Sequence, residues 1–409
     1  MGGRAAETKL DDAIEPHPNF SYGSSFWLLF CSTFALNFSA NLFVLYPLQL
    51  VDFGAGSATI GAIIGVWSLA SLTARPAASP LIDRWGRRDT AMRLLAVDTL
   101  VIALYAPIHS IGPHVFLVRA MHGAVEGTAR VALFAMLYDL LPKGREGRAM
   151  ATFSLCGMGP AAIAPYCGEI LIGRFGFIAF FGAVIAVTAI AAAMVSMIPR
   201  DLPRHLAARP IDSAANSAGY SQLLTYSRLM PLWIVTVMFS LSISSRLSFV
   251  APFAYQSGIT QVGTYFAIYA VVGMAARILT GRLLDRIGLE RTLAPSMAML
   301  AAGIGLIGAA GHFGMLDLAG AIGGLGHGYV YPVLSGMVIA RTDVASIGRS
   351  SSIYQSLYDI GTMIGPYGLG ALAGLAGYGP MFVVAGALSL AGALYFLAAD
   401  PELRMGRIA

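Results

Sequence analysis

Apolar runs long enough to cross a bilayer recur along this chain, and no other feature limits its fold as much. They fall at about 26–49, 57–80, 91–109, 113–141, 149–172 and 176–198, then at about 229–253, 260–284, 291–312, 315–340, 348–375 and 378–399; we number them spans 1 to 12. A helix crosses the hydrocarbon core with ~20 residues, whereas a barrel strand uses about 10. Lipid offers the backbone no partner, so a spanning segment must satisfy its own hydrogen bonds. The runs are therefore read as helices. Only 11% of the 409 residues are charged and 57% are hydrophobic, against roughly 25% charged in soluble domains. Too few charges remain to cover a water-facing surface. The expectation is an all-α integral membrane protein with twelve transmembrane helices and no soluble domain of useful size.

Lys and Arg concentrate in the loops on one side of the membrane, which by the positive-inside rule is the cytoplasmic side. Arg84, Arg87 and Arg88 follow span 2, Lys143, Arg145 and Arg148 follow span 4, and Arg200, Arg204 and Arg209 follow span 6. Arg286 and Arg291 follow span 8, Arg341 and Arg349 span 10, and Arg404 and Arg407 span 12. On the other side only Arg174 falls in a loop. Both termini are expected in the cytoplasm. A net charge of +5 placed in short loops between apolar runs points to anionic lipid, not to nucleic acid. The first 25 residues are polar and carry no short apolar h-region, so no cleaved signal peptide is expected. Cys31, Cys156 and Cys167 all lie within spans without metal-ligand spacing; they read as packing residues, with no disulfide and no metal.

Residues 199–228 form the one long polar connection. They divide the chain into an N-terminal six-helix bundle, 1–198, and a C-terminal one, 229–409. The two halves repeat. ARPAASPLIDRWGRR (74–88) matches ARILTGRLLDRIGLE (276–290), with Asp83 and Asp285, and Arg75 and Arg277, each 202 positions apart. His122-Gly123 matches His327-Gly328 at 205, and Pro165 matches Pro366 at 201. Ordered markers at nearly one offset imply two pseudo-symmetric bundles with a solute site between them near the midplane.

At these residues the chain resembles the major facilitator superfamily over nearly its whole length. Ser79-Pro-Leu-Ile-Asp83-Arg84-Trp-Gly86-Arg87-Arg88 is similar to the family's G-x-x-x-D-R-x-G-R-R loop motif, with Ser79 for the first glycine. After span 8 the counterpart keeps Gly281, Asp285, Arg286 and Gly288. Arg119-Ala-Met-His122-Gly123 resembles the family's R-x-x-x-G signature on helix 4. The exchanger-type Gly-Pro motif of span 5 is matched loosely: Ala164-Pro165 replaces Gly-Pro, and Glu169 stands at a usual glycine. Gly326-His327-Gly328 with Tyr331-Pro332 looks most like bacterial sugar- and drug-efflux permeases. The resemblance implies that helices 1, 4, 7 and 10 line a central cavity. It also implies that Asp83 caps a helix end and clamps helices 2 and 11 when the cavity faces outward, with Asp285 doing likewise for helices 8 and 5. Asp83, Arg84, Gly86, Arg87, Arg88, Gly281, Asp285 and Arg286 are thus expected to govern switching. The setting implied is the inner membrane of a bacterium, and the working unit a monomer.

An ionisable side chain inside a span is costly and marks a functional candidate. Arg119, His122, Glu126 and Arg130 follow one another at three, four and four positions, on one face of span 4. Glu126 can accept a proton, or can pair with Arg130 in a self-satisfied network. Arg75 and Arg277 sit about two turns before their motif aspartates, where each can snorkel or bind the motif loop. Arg277 also stands where carboxylate transporters of the superfamily carry a substrate-binding arginine, and a guanidinium fork suits a carboxylate. Asn37 and Asn41 share one face of span 1. Arg246 in the Ser-rich stretch of span 7 either faces the cavity or pairs with Asp359 or Glu126. Tyr354, Gln355, Tyr358 and Asp359 lie on span 11, His327 on span 10, and Tyr265 and Tyr269 on span 8. Asp98, inside span 3, is expected to form a structural pair.

The function these residues favour is a secondary transporter, a proton-coupled exporter of a small organic molecule. The alternative is a carrier of organic anions held by Arg277, Arg246 and Arg130. A membrane enzyme is disfavoured: the chain has no H-E-x-x-H, no G-x-S-x-G and no glycine-rich phosphate loop, and no cofactor is implied.

Overall fold

A computed structural model describes residues 23–141, 146–200, 219–343 and 346–404. Lys143, Arg145, Arg204, Arg209 and Arg407 lie outside the described residues, as do the side chains of Arg148, Gly281, Asp285, Arg286 and Arg404. Among the described residues the structure is helical without strands, as a chain in lipid requires. Span 1 is Ser24–Leu42 continued by Tyr46–Asp52, and span 2 is Ser57–Ala74 continued by Ala78–Trp85. Spans 3 and 4 are Arg87–Ala103 and Pro113–Leu140, and spans 5 and 6 form one run, Glu146–Ser196, broken at Gly176. Spans 7 to 12 are Met230–Gln256, Val262–Ile287, Leu289–Ile307, Phe313–Ala340, Ile347–Ala376 and Tyr378–Ala399. This order is consistent with a twelve-helix transporter fold. Five segments, in spans 1, 2, 5–6, 7 and 12, are long and apolar enough to cross a membrane by length and composition alone.

Two breaks have a covalent cause. Pro47 and Pro76 lack the N–H that would bond back to Phe43 and Leu72. The chain tightens there into the 3-10 turns Phe43–Leu45 and Arg75–Ala77. The first break directly follows Asn41, and the second contains Arg75, so both bends fall beside candidate site residues.

The internal repeat is visible in the backbone as well as in the motifs. Left-handed glycines fall in pairs at the offset of the sequence repeat: Gly54 with Gly258, Gly86 with Gly288, and Gly176 with Gly377. Each pair ends equivalent helices in the two halves. Within the first half, span 2 packs on span 4, span 3 on spans 4 and 6, and span 1 on the span 5–6 run. In the second half, span 8 packs on span 10, span 9 on spans 10 and 12, and span 7 on spans 11 and 12. The halves meet through span 2 against span 11 and span 8 against span 5.

Their meeting is uneven along the membrane normal. At the end away from the arginine loops, a Cβ on Gly61 would strike the backbone of Pro366, and Tyr255 donates to Asp52 at 3.0 Å. At the arginine-rich end, among the described residues, three ion pairs each close within one half: Arg87 with Asp139, Arg341 with Asp400 at 2.6 Å, and Arg228 with Glu402. Arg88 donates to the Ile198 carbonyl at 2.7 Å and pairs with Asp89, which precedes the apolar run of span 3. Asp83 and Arg84 are exposed.

Candidate functional site

Span 4 carries the acidic side of the site. Gly123 and Gly127 let the backbone of span 2 approach at Trp67 and Ser71, the small-residue contact typical of packed membrane helices. That approach brings Trp67 over Arg119, whose guanidinium carbon lies 5.7 Å from the Trp67 ring, 5.2 Å from Phe43 and 5.4 Å from Tyr46. Arg119 is 5% exposed; an aromatic box replaces water around its charge.

One turn further, His122 Nε2 stands 3.4 Å from Glu126 Oε2 and 3.7 Å from Asp98 Oδ1, and its Nδ1 lies 3.2 Å from the Tyr105 hydroxyl. All three charged-type side chains are nearly or wholly out of contact with solvent. Glu126 also accepts from Arg130 Nε at 3.0 Å, and Arg130 Nη1 donates to Asn37 Oδ1 at 2.6 Å. The i,i+4 pairing of Glu126 with Arg130 expected from the sequence is present. His122 lies against the Tyr105 hydroxyl and the two carboxylates. Neither Asp98 oxygen has a hydrogen-bond partner among the described residues. The neighbour of Asp98, for which a structural pair is expected, is the His122 imidazole at 3.7 Å.

The second half contributes cations. Arg246 lies with its guanidinium carbon 4.1 Å from the Tyr269 ring and 5.7 Å from Phe266, and Arg277 is 5.9 Å from Tyr331. No carboxylate pairs with either among the described residues. The alternative pairing of Arg246 with Asp359 or Glu126 is not found, because both acids are taken. Asp359 is held by Arg75, across the two halves, and by Gln355 at 3.0 Å. Arg75 thus neither snorkels nor binds the motif loop. Arg75 forms a cross-half ion pair at the edge of the larger hollow, and Arg277 faces the smaller one.

These groups surround two adjoining hollows that share Asn41, Val44 and Leu247. The larger, about 370 Å³, is lined by Arg75, Arg119, His122, Glu126, Arg130, Tyr358 and Asp359. The smaller, about 270 Å³, is lined by Arg246, Arg277, His327, Tyr269 and Phe266. Ten of the twelve candidate cavity residues line one or both hollows. Asn37 stands behind Arg130. Tyr354 packs its ring 5.6 Å from Tyr331 and donates to the Tyr331 carbonyl. Trp67 and Arg75, which line the larger hollow, and Asp98 and Tyr105, which stand behind His122, are not singled out for the cavity by sequence. Only the spacing of Asp98 inside an apolar run hinted at it. Tyr265 and Tyr269 are both buried as expected, yet Tyr269 also faces the smaller hollow.

Of the expected clamp, Gly86 makes a left-handed turn, φ 78°, while Arg87 and Arg88 tie the ends of spans 3, 4 and 6 together. Asp83 is exposed.

A helical bundle with a charged cavity between repeated halves defines a membrane transporter. The family model of the Major Facilitator Superfamily matches residues 28–301 and 247–407. The chain belongs to this superfamily. It is 21% identical over 374 residues to the staphylopine export protein of Staphylococcus aureus, covering 88% of this chain and 92% of that protein. It is 25% identical to the multidrug resistance protein MdtG of a Rahnella species, over 82% of each chain. The crystal structure of the nucleoside transporter NupG superposes with a TM-score of 0.78 at 12% identity, covering 92% of this chain and 99% of that one. The fold is that of a transporter, and the chain is not an enzyme.

Proposed function

We propose that the protein is a proton-coupled exporter of small organic molecules, working by alternating access as a monomer in a bacterial inner membrane. The arginine loops face the cytoplasm in this reading. The contacts at the opposite end then describe an inward-facing state, and the exposed Asp83 is a clamp disengaged in that state. Export is the activity named for the staphylopine relative.

One observation carries the coupling: Glu126 and Asp98 both approach Nε2 of His122, out of solvent, while Glu126 also lines the solute-sized cavity. A proton taken up there neutralises Glu126 and loosens its hold on Arg130, changing the cavity charge as the solute leaves. The test uses purified protein in vesicles and ethidium as an amphipathic probe. Ethidium is expected to move against its gradient when a pH gradient is imposed and to stop when a protonophore collapses it. Flux indifferent to the pH gradient would remove proton coupling from the account.

The unpaired Arg246 and Arg277 favour a second reading, a carrier of organic anions. Each guanidinium presents a fork suited to a carboxylate, and the aromatic rings beside it suit an apolar body. Arg130, the third arginine of that reading, is engaged by Glu126 and Asn37. Arg246→Lys or Arg277→Lys keeps the charge and removes the fork. Affinity for dansylglycine is then expected to fall about 10-fold or more, in line with the ~1.5–3 kcal/mol of a charged hydrogen bond, with ethidium transport little changed. Equal loss for both probes would count against a specific anion site.

A further inference from the structure

Glu169 lies at the end of span 5 remote from the arginine loops, where the family's motif usually has glycine. Its carboxylate reaches across to the other half. Oε1 accepts from the Val262 backbone N–H at 2.8 Å and Oε2 from that of Gly263 at 2.7 Å. These are the first two amides of the helix Val262–Ile287. Such amides have no partner inside their own helix, and they sit at the positive end of the helix dipole. Gln261 just before them takes a left-handed backbone, φ 69°. A Cβ on Gly263 would fall 2.6 Å from Tyr166 Cα and 2.8 Å from Glu169 Oε2. Only glycine lets this helix end come down on the carboxylate.

The equivalent joint on the other side of the molecule is built differently. By the repeat offset of Pro165 and Pro366, the counterpart of Glu169 is Gly370. A Cβ there would lie 2.7 Å from the Ser57 carbonyl oxygen. Spans 2 and 11 are therefore joined by close backbone packing, and spans 5 and 8 by a charged latch. A glycine contact separates without stranding a charge. Parting spans 5 and 8 breaks two charge-assisted hydrogen bonds at once.

We infer that Glu169 is a gating residue: it latches the N-terminus of span 8 and sets how much of the protein is closed at this end. It does so from outside the cavity, touching neither solute nor the buried carboxylates. The inference rests on alternating access but not on the identity of the solute or on protons.

The experiment places spin labels at Arg174→Cys and Gln256→Cys, with the native cysteines replaced, and measures the distance distribution in vesicles without solute. The parent protein is expected to show mainly a short distance. Glu169→Gln, which can accept with only one oxygen, is expected to raise the long-distance population by on the order of tenfold. Glu169→Asp, whose shorter arm cannot span both amides, should shift it in the same direction. A disulfide between Ser57→Cys and Gly374→Cys should restore the short distance in the Glu169→Gln protein, since a Cβ at Gly374 lies 3.4 Å from Ser57 Oγ. If Glu169→Gln does not fold, the Glu169→Asp distribution decides. An unchanged distribution overturns the proposal, and so does a lower melting temperature with the short distance intact.

Discussion

Glu126→Gln is expected to abolish solute accumulation driven by a pH gradient while leaving exchange of solute across the vesicle membrane measurable. Glutamine keeps the shape and one carbonyl oxygen. Arg130 Nε, now 3.0 Å from the carboxylate, retains an acceptor, and the fold is not asked to bury a bare cation. That distinction matters, because stripping the partner from a buried ion pair costs about 3–5 kcal/mol. What glutamine cannot do is titrate. The solute and proton sites then lose their coupling free energy, which in coupled proteins is about 1–3 kcal/mol and corresponds to roughly 5- to 150-fold. Accumulation should therefore fall by roughly 5- to 150-fold, toward the equilibrium ratio. Counterflow of ethidium, which needs no net proton movement, should fall much less. Asp98→Asn should weaken accumulation in the same way, since Asp98 approaches the same His122 nitrogen as Glu126. If Glu126→Gln still accumulates ethidium under a pH gradient, the proton is carried elsewhere, and Asp359 is the next group to examine.

The parts of this molecule that could be read in advance are those that bilayer physics writes locally into the chain. A helix in lipid needs a long apolar run, so every span announced itself; edges moved by a few residues, as where span 3 ends at Ala103 short of the expected 109. The repeat was visible because the same turn needs the same residues in both halves. Gly86 and Gly288 show why: each holds a positive φ that other residues rarely adopt. The span 4 stripe was readable because helical periodicity puts its members on one face. Partners on other helices were a different matter. Periodicity says which face a residue shares, not what stands opposite. Sequence assigns Asp98 a pair without naming the partner, and packing supplies His122. Arg75 and Asp359, 284 positions apart, carry no local sign of their bond. Glu169 registered only as a departure from a family glycine, and its two amide partners belong to the other half.

The Arg75–Asp359 pair offers the second large effect, since it ties span 2 to span 11 beside the larger hollow. Reversing one charge, Arg75→Asp, sets two carboxylates against each other across the halves. Reversing both restores attraction with opposite polarity. If the pair helps hold the halves in register, Arg75→Asp and Asp359→Arg should each lower ethidium transport by about tenfold or more. The double reversal should recover a good part of that loss. The side chains are 33% and 17% exposed, so solvent screens part of their attraction. The cycle should accordingly return a modest interaction energy, about 1–2 kcal/mol, within the range for residues in contact. Recovery would also separate this pair from the Glu126 cluster. A residue acting only as a proton acceptor gains nothing from a reversed partner, because arginine in its place does not give up its proton. Additive losses, with the double variant as poor as the product of the singles, would mean that the bond plays no part in the transport cycle and that Asp359 acts alone.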